Sequence, residues 1–235
     1  MKRTGLSIWL TVATLFLISF SFAGVVIEER VKDSDGRTTR VVLSCSENQL
    51  RTDHPESGLT TIMDLKADRI VLVDHRSQSY LSMKLSQWEK EISKRLREES
   101  PGIRPKERTI AVRELGETAT INGFKTEKVQ VLADGEVIEE HWMTKEIDPE
   151  AAKVMEKAAL ELSRDFRLEL KEGREIQEKL KPYGFAILVK DYALSQGLGG
   201  IDVLEVKKIE RRDLTPEVFQ PPAGYERVVP QLEKR

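Results

Sequence analysis

The sequence predicts an α+β domain in which antiparallel strands, joined by short turns, are covered by amphipathic helices. Three observations predict it. Residues 58–96 read as three short strands running straight into one helix. Asn122-Gly123 is a two-residue hairpin turn between two further runs of strand-forming residues. Asp148-Pro149-Glu150 opens another helix, with Asp as N-cap, Pro at the first helical position and Glu near the positive end of the dipole.

The chain of 235 residues opens on a signal segment. Lys2 and Arg3 form a positive start, residues 8–20 are apolar, and Ser21-Phe22-Ala23 places small residues ahead of a cut before Gly24. The expectation is an exported, periplasmic protein with residues 1–23 removed; the alternative is a retained anchor, since residues 6–23 approach the roughly 17-residue minimum for a membrane span. Val42-Leu43-Ser44-Cys45 has the look of a lipobox but lies well past the apolar run. Cleavage takes two positive charges away, so the formal charge falls from −2 to −4. Lys and Arg are interleaved with Glu and form no basic stripe, which excludes nucleic acid as the expected partner. Cys45 is the single cysteine and cannot form an intramolecular disulfide; beside Val41-Val42-Leu43 it reads as a small buried hydrophobe.

The mature chain starts with a strand over residues 24–32, where Val25, Ile27 and Val31 alternate with charged residues. Asp33-Ser34-Asp35-Gly36 turns it into a strand at 38–44, followed by one at 48–52 and a turn at 54–58. The central meander has strands at 59–65, 69–74 and 79–85. Ile70-Val71-Leu72-Val73 is apolar on both faces, whereas Leu81, Met83 and Leu85 alternate with Tyr80, Ser82 and Lys84. A strand that is apolar on both sides needs two covers. Ser86-Gln87-Trp88-Glu89 reads as a capping box, and Trp88, Ile92 and Leu96 make one helical stripe that supplies the first cover.

After a charged loop at 98–108, strands are expected at 109–115, 117–121, 124–132 and 137–144. Helical pieces follow at about 149–164 and 174–180, ended by Pro182 and Gly184. Two last strands, 185–194 and 201–211, flank a glycine loop. Thr215-Pro216-Glu217 then makes one helical turn that drops Val218 and Phe219 into the core before Pro221-Pro222. No linker composition appears, so residues 24–235 read as one domain with a helical insert at about 148–181.

No nucleophile elbow, phosphate-cradling loop or zinc helix motif is present, and no catalytic residue, cofactor or metal is expected. Asp53-His54 and Asp74-His75 lie in alternate turns and would share one edge of the meander. They read as turn residues rather than a metal site. His141 reads as a packed or rim histidine.

Three stretches carry a resemblance: residues 62–80 of the meander, Glu140-His141-Trp142-Met143-Thr144-Lys145, and the closing Val218-Phe219-Gln220-Pro221-Pro222-Ala223-Gly224-Tyr225. The order of elements resembles the bacterial lipoprotein carriers of the LolA and LolB type, and uncharacterised exported domains of that fold. The likeness spans most of the mature chain, and the longer, charged insert departs from it. The resemblance implies a single antiparallel sheet strongly curved into a half-barrel, with helices packed on its concave face. It implies an envelope protein that binds an apolar ligand, a lipid or lipoprotein acyl chain, or an envelope protein partner, and no enzymatic activity. The alternative is a structural or interaction domain with a filled core. On this reading the cavity is lined by Val71, Val73, Leu81, Met83, Trp88, Ile92 and Trp142.

Overall fold

Hairpin chemistry builds most of the sheet. The computed structural model describes residues 22–33, 35–88, 90, 108–147, 171–192 and 202–229. Its strands are β1 Phe22–Lys32, β2 Thr38–Cys45, β3 Gln49–His54, β4 Leu59–Asp64, β5 Arg69–Asp74, β6 Ser79–Lys84, β7 Ile110–Ile121, β8 Phe124–Ala133, β9 Glu136–Thr144, β10 Phe185–Asp191, β11 Asp202–Leu214 and β12 Glu226–Val228. They form one open sheet of twelve strands in the order β12-β6-β5-β4-β3-β2-β1-β11-β10-β9-β8-β7. Every pairing is antiparallel except β12 against β6, which is parallel.

The turns follow from single residues. Asn122 and Gly123, and likewise Asp134 and Gly135, hold positive φ at both central positions, the mirror-image turn that matches strand twist. Strands β3 to β6 repeat every ten residues, and the turns between them end in positive φ at Gly58, Asp68 and Gln78. Two glycines are fixed by close approach. A Cβ on Gly24 would lie 2.3 Å from Leu214 Cδ1 and 2.8 Å from the Cys45 carbonyl oxygen. One on Gly184, whose φ is +98°, would lie 2.2 Å from the Thr144 carbonyl oxygen.

The expected strands at 109–115 and 117–121 are one strand, β7, whose register against β8 breaks around Gly116. The helix after the meander begins at residue 85. Its start is held differently from the expected capping box: Asp68 Oδ1 accepts from the Ser86 amide at 3.0 Å and Asp68 Oδ2 from the Ser86 hydroxyl at 2.9 Å. The Ser86 proton therefore goes to a turn of the meander. Glu89, Ile92, Leu96, most of the 148–181 insert and residues 1–21 lie outside the described residues. The described part of the insert is helix α1, Lys171–Leu180. It sets Ile176 and Leu180, one turn apart, on Val129 and Val131, and Arg108 grips Glu172 with two hydrogen bonds. Among the described residues no helix is long and apolar enough to cross a membrane.

The two faces of the sheet differ. Val25, Ile27, Glu29 and Val31 point to one side of β1 and Val26 to the other, because side chains alternate along a strand. The Ile27 face gathers Val41, Leu43 and Cys45 of β2, Met63 of β4, Ile70 of β5, Ile187 of β10 and Val206 of β11 into one core, with Met83, Trp88 and Phe124 against it. The sheet curves to do this. At the β7–β8 turn, Asn122 Nδ2 reaches β11, donating to Glu205 Oε1 at 2.9 Å and to the Val206 carbonyl oxygen at 2.8 Å, although β9 and β10 stand between in the sheet.

The Val26 face of β1–β6 has its own apolar core of Val26, Ile62, Val71, Val73, Leu214 and Phe219. Its cover is the end of the chain. After β11 a 3₁₀ turn, Pro216–Phe219, buries Phe219, and the segment crosses to β12 on the far edge. The second cover that β5 requires is thus the protein itself.

Candidate ligand-binding face

The expected lining residues separate by strand register. Met83 and Trp88 pack against the Ile27-face core, and Leu81 lies on the same side, opposite Leu72. Val71 and Val73 point the other way, under Phe219. Trp142 is also on the Val26 side: it pairs with Leu188, Leu188 with Glu205, and Glu205 with Arg30. There Lys128 Nζ stands 5.7 Å from the Trp142 ring centroid. The structure therefore brings Leu81, Met83 and Trp88 to one face and sets Val71, Val73 and Trp142 on the other. A period-two alternation fixes relative facing within a strand. It does not fix it between strands: Val71 falls opposite Ser82 in the unbulged β5–β6 pair, and for Trp142 a bulge between Ala186 and Leu188 intervenes.

At the β7–β9 end of the Ile27 face lies an open cleft of about 660 Å³. Thr118, Thr120, Lys125, Met143 and Tyr183 are among its walls. Its size is that of a small-molecule site.

Among the described residues the Ile27 face buries three ionisable side chains, Glu29, Cys45 and His141. Glu29 is 7 % exposed, flanked along β1 by Ile27 and Val31 and across the sheet by Val41 and Val206. Among the described residues it has no hydrogen bond or ion pair. Burial alone pushes its carboxyl up to about 7. The thiol of Cys45 is pushed up to about 12, first by burial and then by the negative charge of Glu29, so it is an inert core thiol. His141 is equally buried. Its Nε2 lies 2.7 Å from Glu139 Oε2, and its Nδ1 has no partner among the described residues. Sequence reasoning left Glu29 out, although the signal was present: it falls on the apolar side of the Val25, Ile27, Val31 alternation.

On the Val26 face, His75 belongs to a latch. The Thr60 hydroxyl gives its one proton to Asp53 Oδ1 at 2.5 Å, so at 2.9 Å it accepts from His75 Nε2. His75 Nδ1, 2.9 Å from the Tyr225 hydroxyl, then accepts from it. Arg51 grips Asp53 through two nitrogens and from its third donates, at 3.0 Å, to the Val218 carbonyl oxygen. Burial raises the Asp53 carboxyl, but the Arg51 and Thr60 hydrogen bonds and the Arg51 charge outweigh it and hold the group below the usual range. The turns at 55–58 and 75–78 do share one edge, where Arg76 Nη2 donates to the Glu56 carbonyl oxygen at 2.9 Å. Among the described residues no group of three His, Cys, Asp or Glu is placed to hold a metal ion.

The model of a family described as a domain of unknown function, DUF4412, matches residues 36–225. No curated protein matches the sequence. The fold is similar to that of an uncharacterised conserved protein from Thermus thermophilus, at 10 % identity over 89 % of this chain and 91 % of that one, with a TM-score of 0.47. It is similar to PNGF-II at 9 % identity over 87 % of this chain and 30 % of that one, with a TM-score of 0.37. A LolA superfamily protein from Nitrosomonas europaea is similar at 11 % identity over 86 % and 91 % of the two chains, with a TM-score of 0.29. These likenesses are distant and concern the fold.

Proposed function

The chain belongs to the DUF4412 family, and we propose that it is an exported envelope protein that holds an apolar ligand, such as a lipid or a lipoprotein acyl chain, on the Ile27 face of its curved sheet. The carrying observation is an asymmetry. The apolar patch on the Val26 face is covered by the chain's own end. The Ile27 face is apolar from Met83 of β6 to Ile187 of β10 in a sheet that stays open, and it leads to the cleft at the β7–β9 end. On this reading the helices at 86–96 and 148–181 lie over the concave side, and the signal segment is cut before Gly24, delivering the protein to the periplasm. The protein is a binding module without catalytic chemistry.

A second reading, an interaction domain with a filled core, is favoured by the complete burial of Ile27, Ile187 and Val206. Protein purified from its native host and extracted for lipid mass spectrometry separates the two. Stoichiometric lipid is expected. So is binding of N-phenylnaphthylamine, displaced by long-chain amphiphiles and lost in a folded Met83→Glu variant. A folded wild type with neither lipid nor probe binding leaves the filled-core domain.

A further inference from the structure

A face that only packed aliphatic chains would have no place for Glu29. Glu29 is 7 % exposed and has no hydrogen bond or ion pair among the described residues, and a carboxylate so largely removed from water is costly unless something pairs with it. The strand neighbours of Glu29 on its face are all aliphatic. Arg30, the adjacent cation, points to the opposite side, opposite Glu205. His141 adds an independent observation. It lies on the same face as Glu29, because it pairs with Val189, Val189 with Leu204, and Leu204 with Val31. With its Nε2 against Glu139, its Nδ1 is a second buried polar atom without a partner among the described residues. Three strand spacings separate β1 from β9, about 14 Å at ~4.8 Å each, within reach of one extended amphiphile. The Ile27 face thus holds two buried polar groups without protein partners among the described residues, and Glu29 carries a negative charge once the pH is above about 7.

We propose that Glu29 is a recognition point for the ligand's polar end, and that the ligand is an amphiphile whose head carries an N–H or O–H donor rather than a bare carboxylate. This rests on the binding reading above. A donor head pairs with Glu29, and the pairing offsets the cost of leaving water; a carboxylate head of the same chain length meets like charge in an apolar setting.

The test uses the mature protein at pH 8, where the Glu29 carboxyl is ionised, and displacement of N-phenylnaphthylamine by dodecylamine, dodecanol and dodecanoate. In wild type the amine displaces the probe at a concentration about tenfold below that of dodecanoate, the size expected of one hydrogen bond to a charged group. The alcohol falls between them. In Glu29→Gln, matched in shape and checked by circular dichroism and thermal melting, the amine and carboxylate converge. In Glu28→Gln, which removes the same charge from the opposite face, the wild-type order stands. Glu29→Met serves if the glutamine variant does not fold. Equal displacement by all three amphiphiles in wild type, or equal loss of order in Glu28→Gln, overturns the role of Glu29 and leaves the binding reading intact. No probe binding at all overturns both.

Discussion

The Val26 face is built in two ways at the two ends of one sheet. Over β1–β6 it is apolar, and the closing segment lies on it with Phe219 buried against Ile62, Val71 and Val73. Over β8–β10 the same face is a polar lattice. Glu140 accepts from Gln130 and from the Tyr192 hydroxyl, each at 2.8 Å, and its oxygen lies 3.2 Å from Lys128 Nζ. Burial raises the Glu140 carboxyl, but these bonds and the Lys128 charge hold it low, and the Tyr192 hydroxyl is pushed up to about 12 by burial and by Glu140. The difference teaches how to read a strand that is apolar on both sides. Such a strand demands a cover, and the demand is met from within the chain when a later segment brings its own apolar anchor and enough hydrogen bonds to stay. A lattice of long polar side chains needs no cover, because stems pack while the heads remain hydrated.

Substitutions at the two ends test this comparison. The largest effect is expected from Phe219→Ala, which empties the centre of the strapped core and costs about 3–5 kcal/mol in denaturant unfolding. A cost near that of an exposed residue would show that the strap contributes little to holding β1–β6.

Thr60→Val comes next. It leaves the His75 Nε2 proton without its partner and takes one hydrogen bond from Asp53 Oδ1, which keeps Arg51, for about 1–3 kcal/mol. The same latch carries a pH signature. Asp53 is held below its ordinary value, so its contribution is fully present above about pH 4, the unfolded value, and is lost as pH falls through the lowered folded value. Unfolding measured against Asp53→Asn should show the stability difference shrinking below that pH; a difference that stays constant into acid would remove Asp53 from the latch.

Trp142→Ala is expected to be the mildest, about 1 kcal/mol, since the ring is half-buried and gains mainly from Lys128 over its face. A loss as large as that of Phe219→Ala would mean that the lattice end is packed as tightly as the strapped end.

Much of this architecture was legible beforehand. Strands β1 to β11 announce themselves through alternation and through turn residues, Asn122-Gly123 above all. Thr215-Pro216-Glu217 marks the turn that buries Phe219. What escaped reading depends on partners far away in sequence. The parallel pairing of β12 with β6 brings Glu226 to Ser79, and a three-residue strand has too little pattern to be seen. The His75–Tyr225 contact spans 150 positions. The true partner of Ser86 is Asp68, which looked like an ordinary turn residue until its φ of +49° aimed it at the helix start. The face of Trp142 could not be inferred, because the bulge on β10 intervenes between it and β11.

The place of β1 has a consequence for how the molecule comes into being. One of its hydrogen-bonding edges is taken by β2, which follows at once, and the other by β11, which starts only at Asp202. The meander from β2 to β6 closes from neighbouring residues alone. Until β11 exists, β1 keeps an unpaired edge carrying Val25 and Ile27, the kind of edge on which other chains add strands. Closure across so long a separation is also slow. Strand β1 is therefore paired on both sides only after β2 to β10 have been made, and the two halves of the sheet become one only when β11 reaches it.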